Sequence, residues 1–278
     1  MSVINTNVKS IVAQNAMTVN SRSMSKVMEQ LSTGKRINGA ADDAAGLAIS
    51  EKMTAQIRGL NQAVRNANDG ISMIQVAEGA TVEVTNMLQR MRELAVQGLN
   101  DTNALVDTNA IKTEFQQLSK EIERISNNTE WNTKKISDGS TSVAVYQVGA
   151  NSSQTITIAF SDIKALSGMT AVMSAASAAS AGSVADFAGT TISNLDTAIN
   201  AIGTYRSTLG ATINRLNYAA DNLQNVSTNT SASRSRIQDT DYAQATTELA
   251  RTQIIQQAAT AMLAQANQQP QSVLSLLQ

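Results

Sequence analysis

The sequence predicts a mainly α-helical fold: an elongated antiparallel helical bundle or coiled coil with one β-hairpin, its N- and C-termini paired at one end. Three observations carry this expectation. Apolar residues recur at alternating spacings of three and four on both sides of the middle of the chain. One proline stands in 278 residues, so almost nothing interrupts a helix. Aromatic residues are 3% while hydrophobic residues reach 42%, with 11 Met among them. Small aliphatic side chains suit thin contacts between helices better than a thick core.

The composition also closes several function classes. There is no His and no Cys. This excludes an imidazole base, a Ser-His relay, a thiol nucleophile, a disulfide, an iron–sulfur cluster and a thiolate or histidine zinc site. No catalytic residue, cofactor or metal site is expected. A net charge of -1 offers no basic footprint for nucleic acid and no polybasic anchor for a membrane. No apolar run approaches the ~20 residues of a spanning helix, so no membrane insertion is expected. The start of the chain lacks the charged-then-apolar pattern of a secretory signal.

Residues 1–34 place Ile4, Val8, Ile11, Met24, Val27, Met28 and Leu31 at helical spacings among many Asn, Ser, Thr and Gln. Asn and Ser are poor in helix interiors, so this helix depends on packing. Asp42-Asp43 follows. Neighbours in sequence do not face each other on a helix, so the pair suits capping rather than acid–base work. From Leu60 to Gly98 the pattern runs Leu60, Val64, Ala67, Ile71, Ile74, then Ala77, Thr81, Val84, Leu88, Met91 and Ala95, with a register slip near Glu78–Gly79. A helix of about 40 residues is roughly 60 Å long. Residues 98–109 are turn-rich, and Ile111, Phe115, Leu118, Ile122 and Ile125 form the helix that returns.

The period then changes. Residues 143–148 and 155–160 alternate and are β-branched, which reads as a hairpin. Trp131 is expected to pack against it. Residues 167–190 have little bulk and read as a surface loop or loose helix; the alternative is a variable outer segment or a site for O-linked sugar. From Ile192 to Leu223 the three–four alternation returns, with Arg206 its only polar member, expected as a register device or snorkelling to the edge. The last helix runs from Tyr242 to Ala266, with Ile255, Ala259, Met262 and Ala266 on one face. Pro270 is expected to end it, before the apolar tail Val273, Leu274, Leu276 and Leu277. Marginal helices at the two chain ends suggest termini that order on meeting partners, and so assembly of identical subunits into an open helical polymer.

Several motifs are specific. Ser32-Thr33-Gly34-Lys35-Arg36-Ile37-Asn38, Asp42-Asp43-Ala44-Ala45-Gly46-Leu47-Ala48-Ile49, residues 65–72, Leu88-Gln89-Arg90-Met91-Arg92-Glu93-Leu94, residues 232–242 and residues 263–277 occur in one order. Together they resemble bacterial flagellin over about residues 1–138 and 190–278. The resemblance implies a subunit of the flagellar filament, a minimal form lacking large outer domains. It implies terminal helices, 1–44 and 236–278, forming an inner-tube coiled coil. It implies an outer-tube helical rod over 45–235, with the hairpin near 143–160 and a short variable segment near 161–190.

The filament would transmit motor torque for swimming. The resemblance also implies type III export without a cleaved signal, to the extracellular flagellum. Implied partners are other copies of the chain, an export chaperone on the C-terminal segment, and the filament cap and hook-junction proteins. For assembly it points to Ile4, Val8, Ile11, Met28, Leu31, Ile255, Met262, Val273, Leu274, Leu276 and Leu277. For a host Toll-like flagellin receptor it points to Leu88, Gln89, Arg90, Arg92, Leu94 and Glu114. Leu274, Leu276 and Leu277 resemble the tail that cytosolic innate sensors read. The rival readings are a hook–filament junction protein, which would not form long filaments alone, and a soluble adaptor or enzyme.

Overall fold

The computed structural model describes residues 7–178 and 189–274. The chain packs as two units: residues 1–57 with 228–278, and residues 58–227.

In the unit that holds the chain ends, helix α1 (Val8–Thr33) packs along helix α6 (Tyr242–Leu274). Asn7 caps α1, its side chain accepting from Ser10 N, and Gly34 closes the helix at φ 70 in the left-handed region. Residues 34–43 then lead to helix α2 (Ala44–Gly98). This link lies against the short link 239–241, which follows helix α5 (Gly189–Gln238). Arg36 N donates to Gln238 O at 2.7 Å and Thr240 N to Gly34 O at 3.0 Å, so Lys35 and Asp239 pair as a single antiparallel bridge. Arg36 Nη2 also donates to Ile237 O at 2.6 Å.

The two carboxylates expected as caps have separate tasks. Asp43 Oδ1 accepts from Gly46 N at 2.8 Å and caps α2. Asp42 accepts from Asn38 N and Gly39 N and pairs with Lys26 Nζ at 2.9 Å, which ties the link to α1. Its carboxyl is held below the usual 3.8, first by the Lys26 hydrogen bond and then by the two backbone N–H groups.

In residues 58–227, α2 and α5 supply the frame. Leu60 and Ala63 of α2 meet Leu223 of α5. Further along, Ala67, Ile74 and Ala77 meet Tyr205, Leu209 and Leu216. Beyond these, Val84, Leu88, Met91 and Leu94 meet Leu195, Ala198 and Ile202. Contacts that advance along α2 retreat along α5, so the helices are antiparallel. Arg206 leaves the seam as the sequence suggests, and its Nη2 lies 3.7 Å from Glu78 of α2, beside the expected register slip.

Helix α3 (Leu105–Asn128) returns along α2 and buries Ile111, Phe115 and Ile122 in the same core. Strands β1 (Glu130–Trp131) and β2 (Lys134–Lys135) form a two-residue hairpin that the sequence reading missed. Its turn residues, Asn132 and Thr133, have φ 46 and 65. Asn-Thr lacks the glycine that usually announces such a turn. Strands β3 (Val143–Gln147) and β4 (Thr155–Ala159) form the expected hairpin, with Val143 opposite Ala159 and Gln147 opposite Thr155. Trp131 packs in the cluster that holds Ile158, Phe160 and Tyr146, as expected.

Of the segment read as a surface loop or loose helix, residues 179–188 lie outside the described residues, and the described start is helical and buried instead of lying on the surface. A 3-10 turn (Ile163–Ala165) leads to helix α4 (Met169–Ala178), and Ile163, Met169, Val172 and Ala176 are buried in the main core. Low complexity concealed a spacing of three and four, at Met169, Val172 and Ala176, that gives α4 one apolar face. Helix α6 also runs on through Pro270 to Leu274 instead of ending there.

Candidate assembly and recognition surfaces

The α1–α6 pair is stitched along an unexpected seam. On α1 the residues turned inward are Ser10, Ala13, Met17, Asn20, Met24, Val27 and Leu31, alternating three and four throughout. On α6 they are Ala245, Leu249, Thr252, Gln256, Ala259, Leu263 and Ala266. The seam therefore mixes bulky apolar residues with small and polar ones. Asn20 is 8% exposed and donates through Nδ2 to Thr252 O at 2.8 Å and to Gln256 Oε1 at 3.0 Å. Asn7 Nδ2 donates to Ala266 O at 2.8 Å. Moving forward along α1 from Asn7 to Asn20 moves the partner back along α6 from Ala266 to Thr252, so the two helices are antiparallel.

Other bulky aliphatics point outward. Val8 is 57% exposed, Ile11 48%, Met28 45% and Met262 65%. Ile255 is also exposed, as are Val12, Val19 and Ile254. Of the residues expected for assembly, Leu31 is half-buried in the seam. Ile4, Leu276 and Leu277 lie outside the described residues, as do the side chains of Val273 and Leu274. Val12, Val19 and Ile254 were missed because a helix with apolar residues in two phases shows no single stripe.

The second surface spans α2, α3 and α5. Arg90 Nε donates to Glu114 Oε1 of α3 at 2.8 Å, and its Nη1 donates to Glu93 Oε2 at 3.0 Å. Arg92 Nε reaches Asp196 Oδ1 of α5 at 2.7 Å. The two arginines thus tie α2 to both of its neighbours. The hydrogen bonds from the carboxylates raise both guanidinium pKa values further, Glu114 acting first on Arg90 and Asp196 on Arg92. Gln89, Arg90, Arg92 and Glu114 are exposed. Leu88 and Leu94 are not: they are 0% and 1% exposed, inside the core that joins α2, α3, α4 and α5. The expectation that these two leucines face a receptor is corrected, because a three–four spacing sends them to the same buried face as Val84 and Met91.

Among the described residues no helix is long and apolar enough to cross a membrane. Residues 4–142 match the family described as bacterial flagellin N-terminal helical region, and residues 192–277 match the bacterial flagellin C-terminal helical region. A flagellin of Halalkalibacterium halodurans is 49% identical over 275 residues, which cover 99% of each chain. A flagellin of Bacillus subtilis is 42% identical over 301 residues, again 99% of each. A solved structure of a putative flagellar hook-associated protein from Vibrio parahaemolyticus shares the fold, with a TM-score of 0.63 at 13% identity over 71% of this chain and 100% of that one. The chain belongs to the bacterial flagellin family, whose members are structural subunits of the flagellar filament.

Proposed function

We propose that the chain polymerises into a flagellar filament through the outward faces of its terminal helix pair, and that the filament carries motor torque for swimming. The observation behind this reading is the inversion on α1 and α6. The seam between them mixes Ala, Ser, Asn, Thr and Gln with Met17, Met24, Val27, Leu31, Leu249 and Leu263, while Val8, Ile11, Val12, Val19, Met28, Ile254, Ile255 and Met262 stand in solvent. Exposed apolar surface of this kind marks an interaction site. Copies of the chain are the fitting occupants, since the family consists of filament subunits. A contact between unlike faces of identical subunits does not close and gives a helical filament.

The same reading assigns the remaining partners. The chain is exported to the outside through the flagellar type III apparatus, with a chaperone holding its C-terminal segment. It adds at the filament tip beneath the cap and joins the hook through the junction proteins. The monomer is recognised by a host Toll-like flagellin receptor through the exposed Gln89, Arg90, Arg92 and Glu114. The 49% identity to a flagellin along the whole chain favours a filament subunit over a junction protein.

Seeded polymerisation, followed by electron microscopy, tests the proposal. The full chain is expected to extend seeds into long filaments, and a chain lacking residues 236–278 is expected not to. Filaments from the shortened chain, or none from the full one, would overturn it.

A further inference from the structure

We infer that Asn38-Gly39 is a site of spontaneous modification, at which the Asn38 side chain deamidates through the Gly39 nitrogen in the free chain and is held intact once the link between α1 and α2 is ordered. The inference rests on the assembly reading, in which the chain ends become ordered on assembly, and it sets a time limit on the unassembled chain.

Asn38-Gly39 is the one Asn-Gly pair in 278 residues. Glycine places no side chain between the asparagine amide and the next backbone nitrogen, so their close approach is least hindered there. The reaction needs no partner but water. Gly39 N bonds to Asn38 Cγ, the Cγ–Nδ2 bond breaks, and Nδ2 leaves as ammonia with the proton that Gly39 N gives up. Water then opens the cyclic imide. Opening at Cγ yields aspartate. Opening at the main-chain carbonyl of residue 38 yields isoaspartate, with the chain running through Cγ. The fold does not require this glycine: Gly39 is not among the left-handed residues, and a Cβ added there would meet nothing within 4 Å.

In the ordered link both reacting groups are engaged. Asn38 Nδ2 donates to Lys35 O at 3.1 Å, and Asn38 Oδ1 accepts from Thr33 Oγ1 at 2.8 Å. The amide cannot turn onto Gly39 N without losing both bonds. Gly39 N must give up its proton to attack, and it donates that proton to Asp42 Oδ2 at 3.2 Å. The carboxylate opposes a second negative charge beside it. Lys26 and the backbone N–H groups of Asn38 and Gly39 keep Asp42 ionised at neutral pH. While the chain ends are unordered, none of these bonds stands.

Either product spoils the link. Aspartate at 38 has no Nδ2 to donate and sets a carboxylate against Lys35 O. Isoaspartate adds one carbon to the main chain between the nitrogens of residues 38 and 39, which converge on the same Asp42 oxygen at 3.1 and 3.2 Å. It also frees a carboxylate beside Asp42. A deamidated chain is therefore left out of the filament.

Full-length chain is held at neutral pH in two forms, free and as seeded filaments, and peptide mass spectrometry follows residue 38 in both. In filaments Asn38 is expected to deamidate at least about tenfold more slowly, the protection of a segment open less than roughly a tenth of the time. Aged free chain is then seeded, and the deamidated fraction at residue 38 is expected to be several-fold higher in the supernatant than in the pelleted filaments. Gly39→Ala, which the link accommodates, is expected to slow the ageing of free chain and to preserve its elongation of seeds. Equal rates in free chain and filament, equal fractions in supernatant and pellet, or the same loss of elongation with age in Gly39→Ala would overturn the proposal. Fresh chain that extends no seed counts against the assembly reading alone. The free chain then decides the modification, by whether residue 38 deamidates ahead of the other asparagines.

Discussion

Asn7 Nδ2 donates to the carbonyl of Ala266 at 2.8 Å, and that carbonyl is the one Pro270 leaves without a helical donor. A residue four places on would normally supply the N–H, and proline has none. The first residues of the described chain thereby repair a gap near the end of its last helix. Asn7 does this while also capping α1 through Oδ1. Asn7→Asp is expected to keep the cap and lose the donation. Asn7→Ala loses both and costs about 1–2 kcal/mol in the terminal pair. Pro270→Ala restores the missing N–H and should make Asn7→Asp nearly silent. Amide exchange in the last turns of α6 measures all three.

The core leucines and the surface arginines separate stability from the proposed receptor recognition. Leu88→Ala is expected to destabilise residues 58–227 by about 2–5 kcal/mol, since the side chain is fully buried. Arg90→Ala leaves the core untouched, and its melting temperature should be close to that of the parent. Receptor signalling that falls for Arg90→Ala at unchanged melting temperature would confirm a surface role. Signalling that falls only with Leu88→Ala would reduce the effect to unfolding.

Glycines on α5 offer a gain. A methyl group at Gly203 or Gly210 would meet nothing within 4 Å. Gly203→Ala is expected to add about 1 kcal/mol and raise the melting temperature of the soluble chain by about 2–4 °C. Gly168 behaves oppositely. It sits at φ +83, and an added Cβ would lie 2.6 Å from Asn194 O, so Gly168→Ala should lower the melting temperature. Calorimetry on the two variants decides both signs.

Asp42 gives the link between α1 and α2 an acid limit. Its folded pKa is depressed below the usual 3.8, so the stability it contributes is fully present above that value and is lost as pH falls through the lower folded value. Asp42→Asn should weaken the link at neutral pH and flatten its acid dependence. Amide exchange at Asn38 and Gly39, whose N–H groups the carboxylate accepts, reports the change directly.

Much of the fold was legible because periodicity survives in one dimension. The seams of α2 and α5, the return of α3 and the β3–β4 ladder follow from spacings of three and four or of two. The β1–β2 turn was hidden because Asn132 and Thr133 adopt positive φ without the help of glycine. Helix α4 was hidden because alanine and serine dilute the three residues that bury it.

The sequence by itself determined the helical class, the closed enzyme chemistries and, through its motifs, the family. Only the tertiary structure decided which way α1 and α6 face. Their apolar residues lie in two helical phases, and periodicity cannot rank one phase above the other. Bulk alone would turn Val8, Ile11, Met28, Ile255 and Met262 inward. The partner helix settles the choice: in the phase that is turned inward, Asn20 reaches Thr252 O and Gln256 Oε1, and Met17, Met24, Val27 and Leu31 pack beside it, while Val8, Ile11 and Met28 stay outside.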